Sequence, residues 1–433
     1  MITIDFLHKI FLEQGSISTD TRKIISKSIY FALKGENFDG NKYIDEAIEK
    51  GASYVVYDNH NYHKEDPRYL YVEDVLETLQ QLALYHRRYC KTKIIGITGT
   101  NGKTTTKELI ASVLKKNYRT IATEGNLNNH IGVPLTLLKI KKEDEIAIIE
   151  MGANHPKEIE FLCSITEPDY GIITNVGKAH LEGFGSFEMI QKTKAELYHS
   201  VVSRGGEIFI HHEDTLLNNL LPKGAKTIHY STTGNSDADT YITEENDHSI
   251  LIRVKAKFEK GYLYILTNLV GSYNCANIAA AICIGRHFHV EPLLIKEAID
   301  KYVPTNMRSQ YTRRKYNDLI VDTYNANPSS MKEALLNFDK LKHPQKIIIL
   351  GDMLELGDVS EKEHQLVIDK LQEMNIQTYF LVGDIFSKIA PSEHTFINTE
   401  SLIAYLKDQE IKNSLVLIKG SRGIGLEKIL YLF

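Results

Sequence analysis

Residues Ile94–Lys107, with the sequence IIGITGTNGKTTTK, place glycine, lysine and threonine at spacings that can hold a nucleotide phosphate. The stretch reads as a short apolar strand, a glycine-rich turn and the start of a helix. Such a turn points several backbone N–H groups at one small volume, and the helix N-terminus adds the positive end of its dipole. Lys103 can reach the β- and γ-phosphates, and the Thr104 hydroxyl suits Mg²⁺. The motif predicts that the chain binds ATP or GTP.

The turn departs from the usual phosphate-loop pattern G-x-x-x-x-G-K-[ST]. The first glycine of that pattern would fall at Ile97, and the chain instead has the tighter run Gly99–Thr104. A GK[ST] by itself is also compatible with an ordinary surface turn. The strand before it, the helix after it and the pair of glycines, Gly99 and Gly102, favour the phosphate loop.

Glu150 and His180 each follow a predicted strand of the same alternating pattern. The carboxyl ends of parallel strands meet at one edge of a sheet, which is where a Mg²⁺-binding acid belongs. Glu150 could also cap a loop, and His180 could be a structural or surface residue. Lys194 lies in QKTKAEL with Lys192 and Glu196, and this spacing by itself predicts a solvated helix face.

Polar loops follow other strands. The loop 123–134 contains Asn126, Asn128 and Asn129, whose amides can hydrogen-bond a polar ligand or simply form a turn. The run DTYNANP from Asp322 can grip a ribose or phosphate, or cap the next helix. The run KGSRG from Lys419 can form an anion pocket or a solvated basic turn.

Length, composition and charge limit the classes of protein to which the chain can belong. A chain of 433 residues predicts two to four domains, and 42% hydrophobic with 25% charged residues is typical of a globular enzyme. The net charge is 51 − 56 = −5 without a basic block, which argues against electrostatic nucleic-acid binding. We expect no signal peptide and no membrane span, because the N-terminus contains acids and no stretch approaches roughly 20 apolar residues. The cysteines form no CxxC pair and are expected to be reduced and packed in the core of a cytoplasmic protein: Cys90, Cys163, Cys275 and Cys283.

The pattern of elements predicts an α/β protein of three domains. Residues 1–85 form a small α/β domain, 86–304 a central phosphate-loop domain with a parallel sheet, and 305–433 a Rossmann-like, doubly wound domain. Residues 73–90 read as a helical linker, and 230–268 as an antiparallel sheet. The other main predictions are a helix at Ser272–His287 and strands at Ile146–Met151, Tyr170–Asn175, Gly206–Ile210, Leu319–Asp322, Lys346–Leu350, Gln377–Val382 and Leu415–Lys419.

Together these motifs resemble the Mur ligase family, the ATP-dependent amide ligases that build the peptidoglycan precursor. GTNGKTTT is similar to the family's phosphate loop, including the missing first glycine. The resemblance extends over nearly the whole chain, through STDTR (18–22), FALKGENFDGNKY (31–43), EGNLNNHIGVPLTLL (124–138), EMGANHPKEI (150–159), TNVGKAHLEGFGS (174–186), KAEL (194–197), NMRSQ (306–310), DTYNANPSSM (322–331), LGDMLELG (350–357) and KGSRG (419–423).

The resemblance implies roles for individual residues. Lys103, Lys194, His180 and Arg308 would be catalytic, and ATP would be held by Gly99, Thr100, Asn101, Gly102, Lys103, Thr104, Thr105, Asn274, Asn277, Arg308 and Asp322. Two Mg²⁺ ions would be held by Thr104, Glu150 and His180, together with Lys194 if that lysine is carbamylated by CO₂. Thr21, Arg22, Lys34 and Gly35 would hold the uridine diphosphate end of a substrate, and Asn128, Asn129, Asn325, Asn327, Ser421 and Arg422 would face the peptides. His130 stands where some relatives have an acid, so it receives no role.

YNANP after Asp322 is typical of the family members that perform the last ligation. The implied substrates are therefore UDP-N-acetylmuramoyl-tripeptide and D-alanyl-D-alanine, joined in the cytoplasm through an acyl phosphate by a monomer that binds neither nucleic acid nor membrane. Two alternatives stay open. One is another ligase of this fold, such as a folylpolyglutamate synthase, and the other is a phosphate-loop switch protein that catalyses no ligation.

Overall fold

The computed structural model describes residues 2–245, 249–374, 376 and 378–433. Near the N-terminus, a parallel sheet has the strand order β1-β2-β5-β6, and a short hairpin pairs β3 with β4. The elements here are α1 (Ile4–Gln14), β1 (Ile17–Ser18), β2 (Ile29–Phe31), β3 (Lys34–Gly35), β4 (Phe38–Asp39), α2 (Ile44–Glu49), β5 (Tyr54–Tyr57), β6 (Tyr69–Tyr71) and α3 (Val75–Cys90). Short 3₁₀ helices occupy Thr21–Lys23, Gly40–Tyr43 and His60–Tyr62.

The predicted linker 73–90 is helical, as expected, but α3 is a packed element. Its residues Leu79, Leu82 and Ala83 are fully buried in a core shared by the N-terminal and central parts of the chain. Arg87 donates to the carbonyl oxygens of Thr166 and Glu167, at 3.0 and 2.9 Å. The apolar face of α3 therefore attaches the N-terminal sheet to the central one.

A parallel sheet with the order β8-β9-β7-β10-β11-β12 forms the central part. Its elements are β7 (Lys93–Thr98), α4 (Lys103–Leu114), β8 (Thr120–Ala122), α5 (Gly132–Leu137), β9 (Ile146–Glu150), α6 (Glu158–Thr166), β10 (Tyr170–Ile173), α7 (Leu181–Phe184), α8 (Phe187–Ser203), β11 (Glu207–His211), α9 (Thr215–Asn219) and β12 (Lys226–Ser231). In register, Ile97 lies beside Glu150 and Thr98 beside Ile173. The chain segments that follow β7, β9 and β10 therefore leave the sheet at one edge.

An antiparallel section follows, with β13 (Thr240–Glu244), β14 (Leu251–Phe258) and β15 (Gly261–Val270), and it is succeeded by α10 (Asn274–His287) and α11 (Pro292–Lys301). The prediction of an antiparallel sheet at 230–268 is confirmed for these strands, while residues 246–248 lie outside the described part of the chain. At its start the prediction was wrong, because Tyr230 and Ser231 belong to β12 and pair in parallel with β13. The chain reverses only after β13.

The C-terminal part extends the same sheet, since Leu269 of β15 pairs with Gln310 of β16. Its elements are β16 (Gln310–Arg314), β17 (Asn317–Asp322), α12 (Pro328–Lys340), β18 (Lys346–Gly351), α13 (Ser360–Glu373), β19 (Thr378–Val382), α14 (Asp384–Ile389), β20 (Thr395–Phe396), α15 (Thr399–Leu406) and β21 (Leu415–Lys419). Further 3₁₀ helices lie at Gly357–Val359, Ser392–His394, Arg422–Ile424 and Leu426–Leu432. Gln377, predicted to begin a strand, lies outside the described residues.

Alternating residues of β18 show why helices cover both faces of this section. Ile348 and Leu350 pack with α12, α13 and α14 in one core, whereas Ile347 and Ile349 pack with α15 and Leu426–Leu432 in another. Side chains alternate across a strand, so an unbroken apolar run buries both faces. The α/β class and the doubly wound C-terminal section predicted from the sequence are confirmed.

Candidate active site

The glycine-rich turn lies between β7 and α4, as predicted, and two of its positions require glycine. Gly99 has φ 144°, and a Cβ there would lie 2.0 Å from Thr174 Oγ1. Gly102 has φ 78°, and its Cβ would lie 2.8 Å from Asn277 Oδ1. These φ values and close approaches exclude a side chain. The backbone of the turn is therefore held against β10 and α10, with the N-terminus of α4 directly behind it.

Lys103 begins α4 and folds back over the turn. Its Nζ donates to the carbonyl oxygens of Gly99 and Thr100, at 2.7 and 3.0 Å. Burial lowers the pKa of Lys103 to about 8, against the opposing effect of Glu150, and Arg308 lowers it further. A phosphate close to Nζ would favour the charged form. Lys103 is thus positioned beside the phosphate loop as an anion-binding group.

Glu150 ends β9 with its side chain buried. The Thr104 hydroxyl lies 3.1 Å from Glu150 Oε2, Asn128 Nδ2 donates to Oε1 at 2.9 Å, and Lys107 Nζ lies 3.3 Å from Oε2. Burial alone would raise the pKa of Glu150, but Lys107 and Lys103 outweigh it and the net shift is downward. The carboxylate is therefore a buried anion among polar partners, one of which, Asn128, belongs to the loop 123–134.

His180 follows β10 in a left-handed backbone conformation, with φ 51°. Its Nδ1 lies 2.6 Å from Glu355 Oε2, a carboxylate of the C-terminal part. Burial lowers the pKa of His180, partly offset by Glu355. In the structure, His180 therefore contacts a residue brought from the far side of the cavity.

Lys194 lies on α8 and is only 3% exposed, whereas Lys192 on the same helix is exposed. The solvated helix face is therefore wrong for Lys194. In the part of the chain that the structure describes, Lys194 Nζ has no ion-pair partner within 4.0 Å, and the ring centroid of Phe184 lies at 5.8 Å. Burial, together with Lys103, lowers the pKa of Lys194 to about 7. Near neutral pH a large fraction of this side chain is a free amine.

The C-terminal part supplies the opposite wall. The guanidinium carbon of Arg308 lies 3.7 Å from the ring centroid of Tyr324. Lys419, 1% exposed, forms an ion pair with Asp322 at 2.6 Å, so this lysine is not part of a solvated turn. Asn327 caps α12 and its Nδ2 also donates to Asn101 Oδ1 at 2.8 Å. The last contact joins this wall directly to the phosphate loop.

The two asparagines of α10 bond mainly to protein groups. Asn274 Nδ2 donates to Val270 O at 2.8 Å, and Asn277 Nδ2 donates to Asn274 Oδ1 at 2.7 Å. Asn277 Oδ1 accepts from Thr106 at 2.8 Å. Both side chains reach the cavity, but each keeps only part of its hydrogen-bonding capacity for a ligand.

These residues line a cavity of about 860 Å³ between the central and C-terminal parts. The predicted site residues on its wall are Gly99, Thr100, Asn101, Gly102, Lys103, Thr105, Asn128, Asn129, Glu150, His180, Lys194, Asn274, Asn277, Arg308, Asp322, Asn325 and Asn327. Thr104 lies behind the wall and contacts Glu150. Residues predicted from distant segments of the sequence are thus gathered in one place.

Besides Thr104, six predicted residues lie off this wall. Ser421 Oγ accepts from Leu354 N at 3.0 Å and so supports the loop that carries Glu355, and Arg422 Cζ lies 5.7 Å from the Tyr324 ring. The other four, Thr21, Arg22, Lys34 and Gly35, lie in the N-terminal part. There Arg22 pairs with Asp20 and Lys34 with Asp58, at 2.9 and 2.8 Å.

Sequence reasoning missed several groups on the cavity wall or directly behind it. The side chain of Lys107 is only 2% exposed and forms an ion pair with Glu150. The one sequence feature that could have indicated this is its position one helical turn after Lys103. Asn175 holds the phosphate loop, because its Oδ1 accepts from Asn101 N and its Nδ2 donates to Asn101 O. Glu355 and Tyr324 lie within quoted motifs, but nothing local indicated their partners. All four cysteines are buried and free, as expected.

The side chains at Glu150 offer oxygen donors of the kind that Mg²⁺ prefers. Within the described ranges, no group of three or more His, Cys, Asp and Glu side chains could hold a metal ion. Glu150 and the Thr104 hydroxyl do supply oxygen ligands, which Mg²⁺ prefers, and Mg²⁺ commonly takes its other ligands from phosphates and water. The residues therefore fit an ion that arrives with a nucleotide.

Among the residues that the structure describes, no helix is both long enough and apolar enough to cross a membrane.

Fold and site together define a phosphate-loop α/β protein whose nucleotide-type cavity is completed by a C-terminal, Rossmann-like section. Three family models match: the Mur ligase family catalytic domain at residues 15–87, the Mur ligase middle domain at 97–285 and the Mur ligase glutamate ligase domain at 307–422. The chain belongs to the Mur ligase family.

Individual relatives are similar over nearly their full length. The UDP-N-acetylmuramoyl-tripeptide–D-alanyl-D-alanine ligase of Bacillus subtilis is 34% identical, with 95% of this chain and 92% of the relative covered. The MurF crystal structure from Acinetobacter baumannii has a TM-score of 0.85 at 28% identity, covering 96% of this chain and 92% of that one. MurF from Thermotoga maritima in complex with ADP has a TM-score of 0.85 at 25% identity, covering 98% and 97%.

Proposed function

We propose that the chain is an ATP-dependent ligase that joins D-alanyl-D-alanine to UDP-N-acetylmuramoyl-tripeptide, releasing ADP and phosphate. The observation that carries the proposal is that the phosphate loop, Arg308 and the 322–327 loop line one and the same cavity. The 34% identity to the Bacillus subtilis ligase over almost the whole chain supports the substrate pair. The reaction belongs to the cytoplasmic stage of peptidoglycan synthesis.

The first step transfers the γ-phosphoryl group of ATP to the terminal carboxylate of the tripeptide. The backbone N–H groups at the N-terminus of α4, which begins at Lys103, and the Lys103 ammonium would hold the phosphates, and Arg308 approaches from the opposite wall. Mg²⁺ held by Thr104 and Glu150 would neutralise charge on the transferring group. The free amine of D-alanyl-D-alanine then attacks the acyl phosphate, forming the amide and releasing phosphate.

A carbamate on Lys194 is part of the proposal. The neutral amine of Lys194 attacks the carbon of CO₂, an N–C bond forms and the nitrogen loses a proton. Because the pKa of Lys194 is lowered to about 7, the reactive amine is abundant at neutral pH. A carbamate is an anion with oxygen donors, so it would complete a second Mg²⁺ site with Glu150 and His180.

The substrates would extend over three domains, which we assign to residues 1–85, 86–304 and 305–433. The family matches at 15–87, 97–285 and 307–422 support this division. The uridine diphosphate end would bind to Thr21, Arg22, Lys34 and Gly35. The adenosine would bind to Asn274, Asn277 and Asp322. The peptides would bind to Asn128, Asn129, Asn325, Asn327, Ser421 and Arg422. We further propose that the protein acts as a cytoplasmic monomer without nucleic-acid or membrane partners.

The test measures ADP release from ATP with UDP-N-acetylmuramoyl-tripeptide, with and without D-alanyl-D-alanine, together with the mass of the product. Tripeptides that end in lysine and in meso-diaminopimelate are compared, since the sequence does not choose between them. ADP release that requires both substrates, with a UDP-pentapeptide product, is expected. ADP release from a folate substrate and glutamate would instead indicate a folylpolyglutamate synthase. Nucleotide binding without any product would indicate a switch protein.

A further inference from the structure

Arg308 is carried by a backbone segment in an uncommon conformation. The residues on either side of it, Met307 and Ser309, have φ values of 56° and 47°. Left-handed conformations are rare for residues other than glycine and persist where the surroundings fix them. The segment Asn306–Ser309 is therefore held in place by its neighbours.

Several contacts brace this segment. Asn306 Nδ2 lies 3.2 Å from Glu108 Oε2 on α4, the helix that begins at the phosphate loop. Thr323 N donates to Met307 O at 3.0 Å, and the hydroxyls of Ser309 and Tyr273 are 2.7 Å apart. The backbone on both sides of Arg308 is thus attached to the central part and to the loop after β17.

The Arg308 side chain is held differently. Its Nε is buried without a hydrogen-bond partner, and the described residues place no carboxylate within 4.0 Å of its guanidinium. What it does contact is the ring of Tyr324, with 3.7 Å from Cζ to the ring centroid. Tyr324 belongs to the loop after β17 and lines the same cavity as Arg308 and Lys103.

Contact with an aromatic ring has a different consequence from an ion pair. A carboxylate would hold the guanidinium by occupying its N–H donors, whereas a ring holds the plane of the group and leaves the donors free. Free donors in a fixed plane suit bidentate binding of a phosphate. Arg422, whose Cζ is 5.7 Å from the same ring, adds a second cation near Tyr324.

We propose that Tyr324 is a positioning residue for phosphoryl transfer: its ring holds the Arg308 guanidinium so that the free N–H donors meet the γ-phosphate. The inference deepens the proposed function and rests on it for the identity of the reaction. Tyr324 itself touches no phosphate in this proposal, and its hydroxyl is not required.

The test compares Tyr324→Phe, which keeps the ring, with Tyr324→Leu, which removes it. The affinities for ADP and for a non-hydrolysable ATP analogue are measured by calorimetry, because this readout does not depend on ligation. Tyr324→Leu should lose about tenfold affinity for the analogue and keep its ADP affinity, and Tyr324→Phe should match the unsubstituted protein. Tyr316→Leu is the matched control, since Tyr316 lies 5.8 Å from the Lys412 ammonium on the exposed surface.

A double-substitution cycle gives the second readout. If Tyr324 acts through Arg308, Tyr324→Leu should add nothing to the loss of analogue affinity caused by Arg308→Ala. Thermal unfolding checks that each variant is folded. Unchanged analogue affinity in Tyr324→Leu, or losses that add in the double variant, would overturn the inference. Absence of D-alanyl-D-alanine-dependent ADP release in the unsubstituted protein would instead count against the proposed function, and the affinities would still test Tyr324.

Discussion

On the central wall of the cavity, the buried carboxylate of Glu150 is already surrounded by Thr104, Lys107 and Asn128. On the C-terminal wall, Arg308 keeps a buried Nε without a partner and touches mainly a ring. The central groups come from β9, from α4 and from the loop between β8 and α5, so their arrangement is complete within the central part. Arg308 reaches the cavity from the segment between α11 and β16, and its Nε remains a free donor. We propose that the phosphate site is already formed on the central wall and that the position of the opposite wall decides whether the reaction proceeds.

Side chains of the two walls meet at several points. Asn327 reaches Asn101 at 2.8 Å, Glu355 reaches His180 at 2.6 Å and Lys178 reaches Glu363 at 3.4 Å. We expect substitutions within the central wall to remove catalysis. Substitutions of residues that join the two walls should reduce it, and the reduction should be larger for the more buried residues.

The largest effect is expected for Lys103→Ala. Removing the ammonium leaves the transferring phosphoryl group without its nearest protein cation, and kcat for ADP release should fall about 10³-fold. Steady-state kinetics with saturating substrates measure it. Lys115→Ala, at the exposed end of the same helix, is the control. A loss below tenfold for Lys103→Ala would contradict the preformed phosphate site.

Lys194→Met should reduce kcat about 10²-fold while Lys192→Met leaves it unchanged, because one of these lysines is buried at the cavity and the other is exposed. Mass spectrometry of the native protein in bicarbonate should detect a carbamate, +44 Da by the mass of CO₂, only where Lys194 is present. Full activity of Lys194→Met would refute the carbamate.

The same variant should be more stable than the native protein. The unfolded lysine keeps its proton up to a pKa near 10.5, whereas the folded one releases it above about 7. The cost of the buried charge is therefore complete below pH 7 and disappears as the pH rises towards 10.5. Lys194→Met should gain about 1 kcal/mol in the free energy of unfolding at pH 6, and less at pH 9. Urea titrations at both pH values measure this, and a gain that grows with pH would have the wrong sign.

A smaller effect is expected for Glu355→Gln, which weakens the contact between the walls. The value of kcat/KM for D-alanyl-D-alanine should fall about tenfold with ADP affinity unchanged, because the phosphate site lies on the other wall. Glu361→Gln, exposed on α13, serves as the comparison. Equal losses of dipeptide and ADP binding would show that the walls do not act separately.

The smallest effect is expected for Lys178→Ala. The Lys178 side chain is 56% exposed, and exposed ion pairs contribute about 0–1 kcal/mol. Activity should change less than about twofold at physiological salt. A tenfold loss would mean that even an exposed contact between the two walls contributes strongly to catalysis.

The sequence by itself determined the phosphate loop, the α/β class and the family. The phosphate loop rests on a strand, a turn that needs glycine at Gly99 and Gly102, and the start of a helix. The α/β class rests on apolar runs that are long enough to bury both faces of a sheet. Each of these patterns spans only a few residues, so it can be recognised from a short stretch of sequence.

The tertiary structure alone decided that Lys194 is buried while Lys192 is exposed, that Glu355 meets His180 and that the Tyr324 ring holds Arg308. His180 and Glu355 are separated by 175 positions of chain. Where such groups meet depends on strand order and on the packing of one sheet section against another. Those are set by the sum of many long-range contacts, and no local spacing encodes them.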